Sequence, residues 1–278
     1  MVNEQILNPK SQIPNLNYQL PISNLQSPIS NLHLIARRVV YHERVGSTND
    51  IAKQLADAGE PAGTLVIADE QTAGRGRLGR TWIAPARTSL LMSLILRPAL
   101  APHQSARVTM AIALGASDAI RAETGLDARI KWPNDLLVRG KKCAGILAES
   151  GIVGEQLEYV IVGIGLNVNF AAASSANIPR DATTIADELG REFPRAQLAH
   201  AILEQIEHYY LRLCAGENLR AIWSARLATL GQRVRAQTDA GISEAVAEDV
   251  DDDGALIVRR DDGTRARLLA GDVTLAEK

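Results

Sequence analysis

The sequence predicts an α/β chain of the α+β type: a mixed, largely antiparallel sheet with helices on one side, followed by a small all-β barrel. Three observations carry that expectation. Short apolar runs recur between turn residues, at 64–69 (TLVIAD), 89–96 and 159–169, with the lengths and flanks of strands. Two stretches, 105–123 and 185–228, turn helical; the first sets Val108, Ile112, Ala116 and Ile120 on one face and meets its stop at Gly125. After Gly231 the pattern changes to short strands at 233–237, 245–250, 255–260, 265–270 and 273–275, with Asp253-Gly254 and Asp262-Gly263 between them as hairpin turns.

The remaining elements follow in order. Residues 38–43 (RVVYHE) read as a strand, and Ser47-Thr48-Asn49-Asp50 offers N-cap chemistry to a helix carrying Ile51 and Leu55 and ending at Gly59. A short strand at 128–131 runs into Trp132-Pro133-Asn134-Asp135, and strands at 136–138 and 143–149 alternate with turns at Arg139-Gly140 and 151–154. In the second helical stretch Leu198, Ile202, Ile206, Tyr209 and Tyr210 mark a packing face.

Residues 1–35 differ from the rest. They hold two charged residues, Glu4 and Lys10, four prolines, and a seven-residue echo, PISNLQS then PISNLHL. That composition reads as a disordered leader, or as an upstream stretch with the start nearer Ile35; it lacks the basic segment and apolar core of a signal peptide. The expected organisation is therefore a leader at 1–35, a large unit at 36–230 and a small unit at 231–278.

Composition excludes several functions. Lys plus Arg number 30 against 32 acids, so the global basic field of a nonspecific nucleic-acid binder is missing. Two cysteines and five histidines have no metal-ligand spacing and cannot form a disulfide framework, which suits a reducing cytoplasm. Asp249, Asp251, Asp253 and Gly254 match the opening of a calcium loop, but its twelfth position is Arg260, so the acidic run reads as a turn.

The chemistry concentrates at residues 70–82, EQTAGRGRLGRTW, where Arg75, Arg77 and Arg80 stand among Gly74, Gly76 and Gly79. Glycine lets backbone close on a ligand, and guanidinium forks grip carboxylate or phosphate oxygens, so the loop reads as an anion wrap. The glycines also spell G-x-G-x-x-G, yet the helix that a dinucleotide fingerprint needs does not follow, since Pro85 comes next. No ATPase P-loop motif occurs either.

That loop, with STND at 47–50, KWPNDLL at 131–137, KKCAGILAE at 141–149 and GIGLNVN at 163–169, resembles the biotin protein ligases, from about Tyr41 to the C-terminus. The resemblance implies a short form without the N-terminal helix-turn-helix of repressor members, and an SH3-like C-terminal domain. It implies ATP, Mg²⁺ and biotin as reactants: biotinyl-5'-AMP forms first, and a lysine of a biotin carboxyl carrier protein then attacks it. It places Ser47, Thr48, Asn49, Gln71 and the Gly74 backbone at the uncharged ureido ring of biotin, with Arg77 nearby. Arg75 and Lys142 fall at the carboxylate and phosphate, as the catalytic pair. Arg77, Arg80, Trp82, Asn134 and Asn167 fall to the nucleotide, with Trp82 on the adenine and the metal near Asp135. Read for themselves, Ser47 and Thr48 are equally helix caps, Gln71 and Arg77 structural partners of the loop, Lys141-Lys142 a solvated hairpin flank and Asn167 a strand-end cap. Lipoate ligases, which lack this loop as written, are the near alternative, and a DNA-binding regulator the distant one. The expected protein is cytoplasmic, off DNA and membranes, and a monomer or homodimer.

Overall fold

A computed structural model of the chain describes residues 32–175, 177–238, 241–269 and 272–275. Seven strands, β1 (Arg38–Val45), β2 (Thr64–Gln71), β3 (Ser89–Leu96), β4 (Ala128–Lys131), β5 (Asp135–Val138), β6 (Lys141–Val153) and β7 (Gln156–Asn167), form one sheet in the order β1-β2-β3-β7-β6-β5-β4. β1 and β2 pair in parallel and every other neighbouring pair is antiparallel, as the turn spacing leads one to expect.

Helices α1 (Thr48–Asp57), α2 (Ala106–Thr124), α3 (Ile185–Leu189), α4 (Arg195–Cys214) and α5 (Arg220–Arg226) join the strands. α2 stops where Gly125 adopts φ 73° and donates its N–H to Arg121 O, a left-handed cap. Its mid-helix Gly115 has a packing reason: a Cβ there would lie 2.6 Å from Ile206 N, so glycine lets α4 approach.

The helices do not all lie on one side. α2 and α4 cover the face carrying Leu65, Ile67, Leu94, Val160, Val162 and Ile164, whereas Ala52 and Ala56 of α1 pack with Val66, Ile95, Tyr159 and Ile161 on the other. The reason is visible in β3, SLLMSLIL, buried at all eight positions. A strand that is apolar on both faces needs cover on both. α1 covers only part of its face, and the uncovered remainder becomes the cavity described below.

The boundary expected at residue 35 moves. Residues 1–31 lie outside the described residues, but the last four of the expected leader are packed: Leu32 and Leu34 pack against the core, and Ile35 is fully buried. The N–H groups of His33, Leu34 and Ile35 donate to the buried Glu207 carboxylate of α4 at 2.8, 2.8 and 2.7 Å. A carboxylate that far from water needs such donors, and the chain supplies three in a row.

β8 (Arg233–Thr238), β9 (Gly241–Val250), β10 (Leu256–Arg259), β11 (Arg265–Leu268) and β12 (Asp272–Leu275) form a second, antiparallel sheet in the order β11-β10-β9-β8-β12. Among the described residues no ladder joins β11 to β12. Gly254 and Gly263 take φ 84° and 82° in the two expected Asp-Gly turns. The acidic run is a turn: Asp251 accepts the N–H groups of Asp253 and Ala255, and Asp249, Asp251 and Asp253 each pair with an arginine. Among the described residues no helix is long and apolar enough to cross a membrane.

Candidate active site

Glycines carve the site. On the face of β6 and β7 that α1 leaves open, Gly145 stands opposite Gly165, and Gly163 opposite Leu147. A Cβ at Gly163 would lie 2.2 Å from Asn49 Oδ1, and one at Gly165 only 2.5 Å from the Trp82 ring. The missing side chains leave a trough, and residues 74–82 fold over it to enclose a cavity of about 400 Å³. This flap is a small hairpin. Trp82 N donates to Gly74 O at 2.9 Å, Gly76 N to Arg80 O at 2.7 Å, and Leu78 at the tip has φ 54°. Gly74 does not line the cavity: it permits the hairpin, since a Cβ there would sit 2.6 Å from Trp82 O.

One end of the cavity, called the uncharged end below, presents neutral hydrogen-bonding groups, its one arginine being paired with carboxylates. Ser47 precedes α1 in extended conformation and makes no side-chain cap, so both it and the helix start face the cavity. Thr48 donates from N and Oγ1 to Gln71 Oε1 at 2.7 and 2.9 Å. Ser93 Oγ lies 2.8 Å from Thr48 Oγ1 and 2.6 Å from Asn49 Oδ1. Asn49 is engaged at both ends of its amide, since Nδ2 also donates to Glu149 Oε2 at 2.6 Å. It braces the site and also lines the cavity.

Arg75 stands away from Lys142, with which the resemblance pairs it, whereas Arg77 stands beside Asn134, with which the resemblance groups it at the nucleotide. Arg75 donates to both oxygens of Glu149 at 2.9 Å and to Asp50 Oδ1 at 2.6 Å, beside Asn49. Two carboxylates draw it to the uncharged end and raise its pKa against the opposing effect of burial, the largest single cause. Arg77 reaches the opposite end, where Nη1 donates to Asn134 Oδ1 at 3.1 Å. Burial pulls the Arg77 guanidinium below its ordinary value, and Asp135 counteracts this.

At that charged end Lys142 Nζ pairs with Asp135 Oδ1 at 2.7 Å and stands 5.7 Å from the centre of the Trp82 ring. Asn134 is fixed by donating to Ile146 O at 2.5 Å. Two buried polar atoms there have no hydrogen-bond partner, Trp82 Nε1 and Asn167 Oδ1, although Asn167 Nδ2 donates to Thr183 O at 3.1 Å. Unpaired buried polar atoms call for an explanation, and these two line the cavity, where a ligand can supply the partner; four others among the described residues, His42 Nε2, Ser89 Oγ, Asp118 Oδ1 and Trp223 Nε1, lie away from it. Arg80 lies on the exposed rim of the cavity. No group of three His, Cys, Asp or Glu side chains able to hold a metal occurs among the described residues. Asp135 and Asp181 both line the cavity, which fits Mg²⁺ held by one or two carboxylates and by phosphates. Burial pushes the Cys143 thiol up to about 12, so it offers no thiolate nucleophile.

Sequence reading missed several lining or supporting residues. Asn177, Ile178, Pro179, Asp181 and Ala182 form one wall, held because Lys142 N donates to Asp181 O and Thr183 N to Lys142 O, each at 2.8 Å. Val273 of β12 reaches the cavity from the second sheet, and Ser93 and Glu149 brace it. A local signal existed only for the floor, where Gly163 and Gly165 at strand spacing imply an open face.

Two family profiles match the chain: Biotin/lipoate A/B protein ligase family over residues 41–167, and Biotin protein ligase C terminal domain over residues 229–275. The Bifunctional ligase/repressor BirA of Bacillus subtilis is 33% identical over 245 residues, covering 87% of this chain and 75% of that protein. The Biotin--[acetyl-CoA-carboxylase] ligase of Mycobacterium tuberculosis is 37% identical over 243 residues, covering 83% and 86%. Among solved structures, the biotin protein ligase from Aquifex aeolicus in complex with biotin and ATP superposes with TM-score 0.70 at 25% identity, over 86% of this chain and 99% of that one. That from Leishmania major in complex with biotinyl-5-AMP gives TM-score 0.55 at 29% identity, over 83% and 98%.

Proposed function

The chain belongs to the biotin/lipoate A/B protein ligase family, and we propose that its cavity joins biotin to ATP and hands the biotinyl group to a lysine of a biotin carboxyl carrier protein. The observation that carries this reading is the division of one enclosed cavity into an uncharged hydrogen-bonding end and a cationic end beneath an arginine flap.

Biotin suits such a space because its ureido ring is neutral and its carboxylate lies at the far end of an aliphatic arm. Ser47, Thr48 and Gln71 meet the ureido group, with Ser93 and Asn49 fixing their positions. The carboxylate then lies toward Arg77 and Lys142, where it must approach the α-phosphate of ATP. Two anions repel at that approach, and fixed cations in a water-poor site offset the repulsion without reorganising. Asp135 and Asp181 would hold Mg²⁺ against the phosphates, and the ion supplies further neutralisation of charge there. Trp82 packs against the adenine, Asn167 Oδ1 accepts from its amino group, and Arg80 serves the phosphates from the rim. Arg75 enters the anion site only by leaving Glu149 and Asp50. Pyrophosphate departs, and the carrier lysine attacks the mixed anhydride, expelling AMP.

Residues 36–230, extended back to Leu32, make the catalytic unit, and residues 231–278 an SH3-like barrel whose sheet is the five-stranded one described. The protein works in the cytoplasm as a monomer or homodimer, off DNA. Incubation of the purified chain with ATP, Mg²⁺ and biotin should yield biotinyl-5'-AMP by mass measurement. Lipoate in place of biotin should yield no adenylate; lipoyl-AMP at the same rate would overturn the substrate assignment.

A further inference from the structure

The acidic turn of the second sheet is not an isolated surface loop. Its backbone reaches the active site through Trp132, the residue that precedes Pro133, Asn134 and Asp135 on the cavity wall. Trp132 is 1% exposed, and its Nε1 donates to Gly254 O at 2.9 Å. Its backbone N–H donates to the fully buried Thr229 hydroxyl at 2.9 Å. Ala228, next to Thr229, donates its N–H to the carbonyl of Ile130, two residues before Trp132, at 2.8 Å, so the strand that leads into the charged end is bonded to the junction with the second sheet at two points.

The turn itself is held on several sides. Asp253 Oδ1 accepts from Arg107 Nε and Nη2 of α2 at 3.1 and 2.9 Å. Arg220 of α5 donates to Val250 O at 2.6 Å and to Asp249 at 2.5 Å. Gly254 has φ 84°, and a Cβ there would lie 3.0 Å from Met110 Sδ of α2, so only glycine fits without strain. The carbonyl that receives the Trp132 indole is thereby fixed relative to two helices. Asn134 and Asp135, which engage Arg77 and Lys142, follow Trp132 after the single residue Pro133.

We propose that Gly254 and Trp132 are positioning residues through which the second sheet sets the geometry of the nucleotide end of the cavity, while leaving the uncharged end alone. The proposal rests on the functional reading above. None of the contacts of Thr48, Gln71, Asn49 and Ser93 described for the uncharged end involves residues 229–255. Displacing Trp132 should shift Asn134 and Asp135 and disturb the charged end selectively. A purely structural tryptophan would lower both ends together.

The test uses the full chain with Trp132→Phe, which keeps an aromatic ring and removes the indole N–H, and with the near-isosteric Thr229→Val. Biotin affinity is titrated without nucleotide, and single-turnover adenylate formation is followed over a range of ATP concentrations. Both variants should keep wild-type biotin affinity and lose about tenfold or more in rate or in the ATP dependence, the scale on which small misplacements of reacting groups act. Wild-type ATP kinetics in both variants would overturn the proposal, as would an equal loss of biotin affinity and rate. A wild-type chain that makes no biotinyl-5'-AMP would overturn the functional reading itself, and the coupling with it.

Discussion

The uncharged and the charged ends of the cavity are built in opposite ways. At the uncharged end Thr48, Gln71, Ser93 and Asn49 bond to one another and to β6 in a continuous network, on α1 and on strands of the main sheet. At the charged end the cations stand on a flap and at the start of a strand, and two buried polar atoms have no partner. The first end exists before any ligand arrives, so little ordering is required there on binding. The second keeps unpaired polar atoms beneath the flap, and under the proposed function that cover would keep water from a hydrolysable intermediate. Binding and chemistry are thus divided between a rigid scaffold and an adaptable cover.

The sharpest way to test that division is Lys142→Ala. A cation acting where two anions meet contributes mostly in the transition state, so adenylate formation at saturating substrates should fall by about 10²–10³, while biotin affinity holds. A loss of biotin affinity with the rate preserved would place Lys142 in binding and erase the distinction. Gly163→Ala and Gly165→Ala then compare the two ends directly. Each would put a methyl group inside contact distance of a neighbour, but Asn49 is locked and Trp82 rides on the flap. Gly163→Ala should destabilise the protein by about 1–3 kcal/mol and weaken biotin strongly. Gly165→Ala should leave thermal unfolding nearer to wild type and weaken ATP instead; equal melting temperatures for the two would argue against a rigid uncharged end.

Asn167→Ala removes an acceptor that has no partner and forfeits one bond to Thr183. Stability should fall by about 1–3 kcal/mol through the Thr183 carbonyl left unpaired. If Asn167 Oδ1 takes the adenine amino group as proposed, ATP binding to the folded variant should weaken by about a further 1–1.5 kcal/mol, read by nucleotide titration. The smallest effect is expected at Asp50→Asn. Asp50 and Arg75 are 51% and 42% exposed, and such pairs contribute about 0–1 kcal/mol, so unfolding should hardly move. Glu149 still holds Arg75 in that variant, and a large loss of stability would show that Asp50 has a role beyond the ion pair.

The local features of the fold were legible because short-range chemistry decides them. Residues 64–69 and 89–96 read as strands from their apolar runs, Gly125 as a helix stop and the two Asp-Gly pairs as turns. The side of the sheet that α1 covers was not legible, since only the paired register of β2, β3 and β7 shows which alternate residues face it. The same holds within the site. The family resemblance pointed to residues most of which line the cavity, Gly74 excepted, but it could not show that Glu149 holds Arg75 across a separation of 74 positions. Nor could it show that Asn49 serves as a brace, or that the wall at 177–182 approaches Lys142. Glu207 is a similar case: nothing near it in sequence announces the three amides it binds, at positions 33–35 within the stretch expected as leader.

The placement of Trp82 has an optical consequence. The chain has three tryptophans, and two of them, Trp132 and Trp223, are 1% exposed in the core. The third lies on the flap, its ring over the glycine floor and close to an ammonium group. Indole emission shifts with the polarity and charge around the ring, so Trp82, with Trp132, which also lines the cavity, should respond when a purine binds there, whereas Trp223 should not. The chain therefore carries its own fluorophores at the site, and ligand binding can be timed by stopped-flow emission without attaching a label, with Trp132→Phe isolating the Trp82 signal.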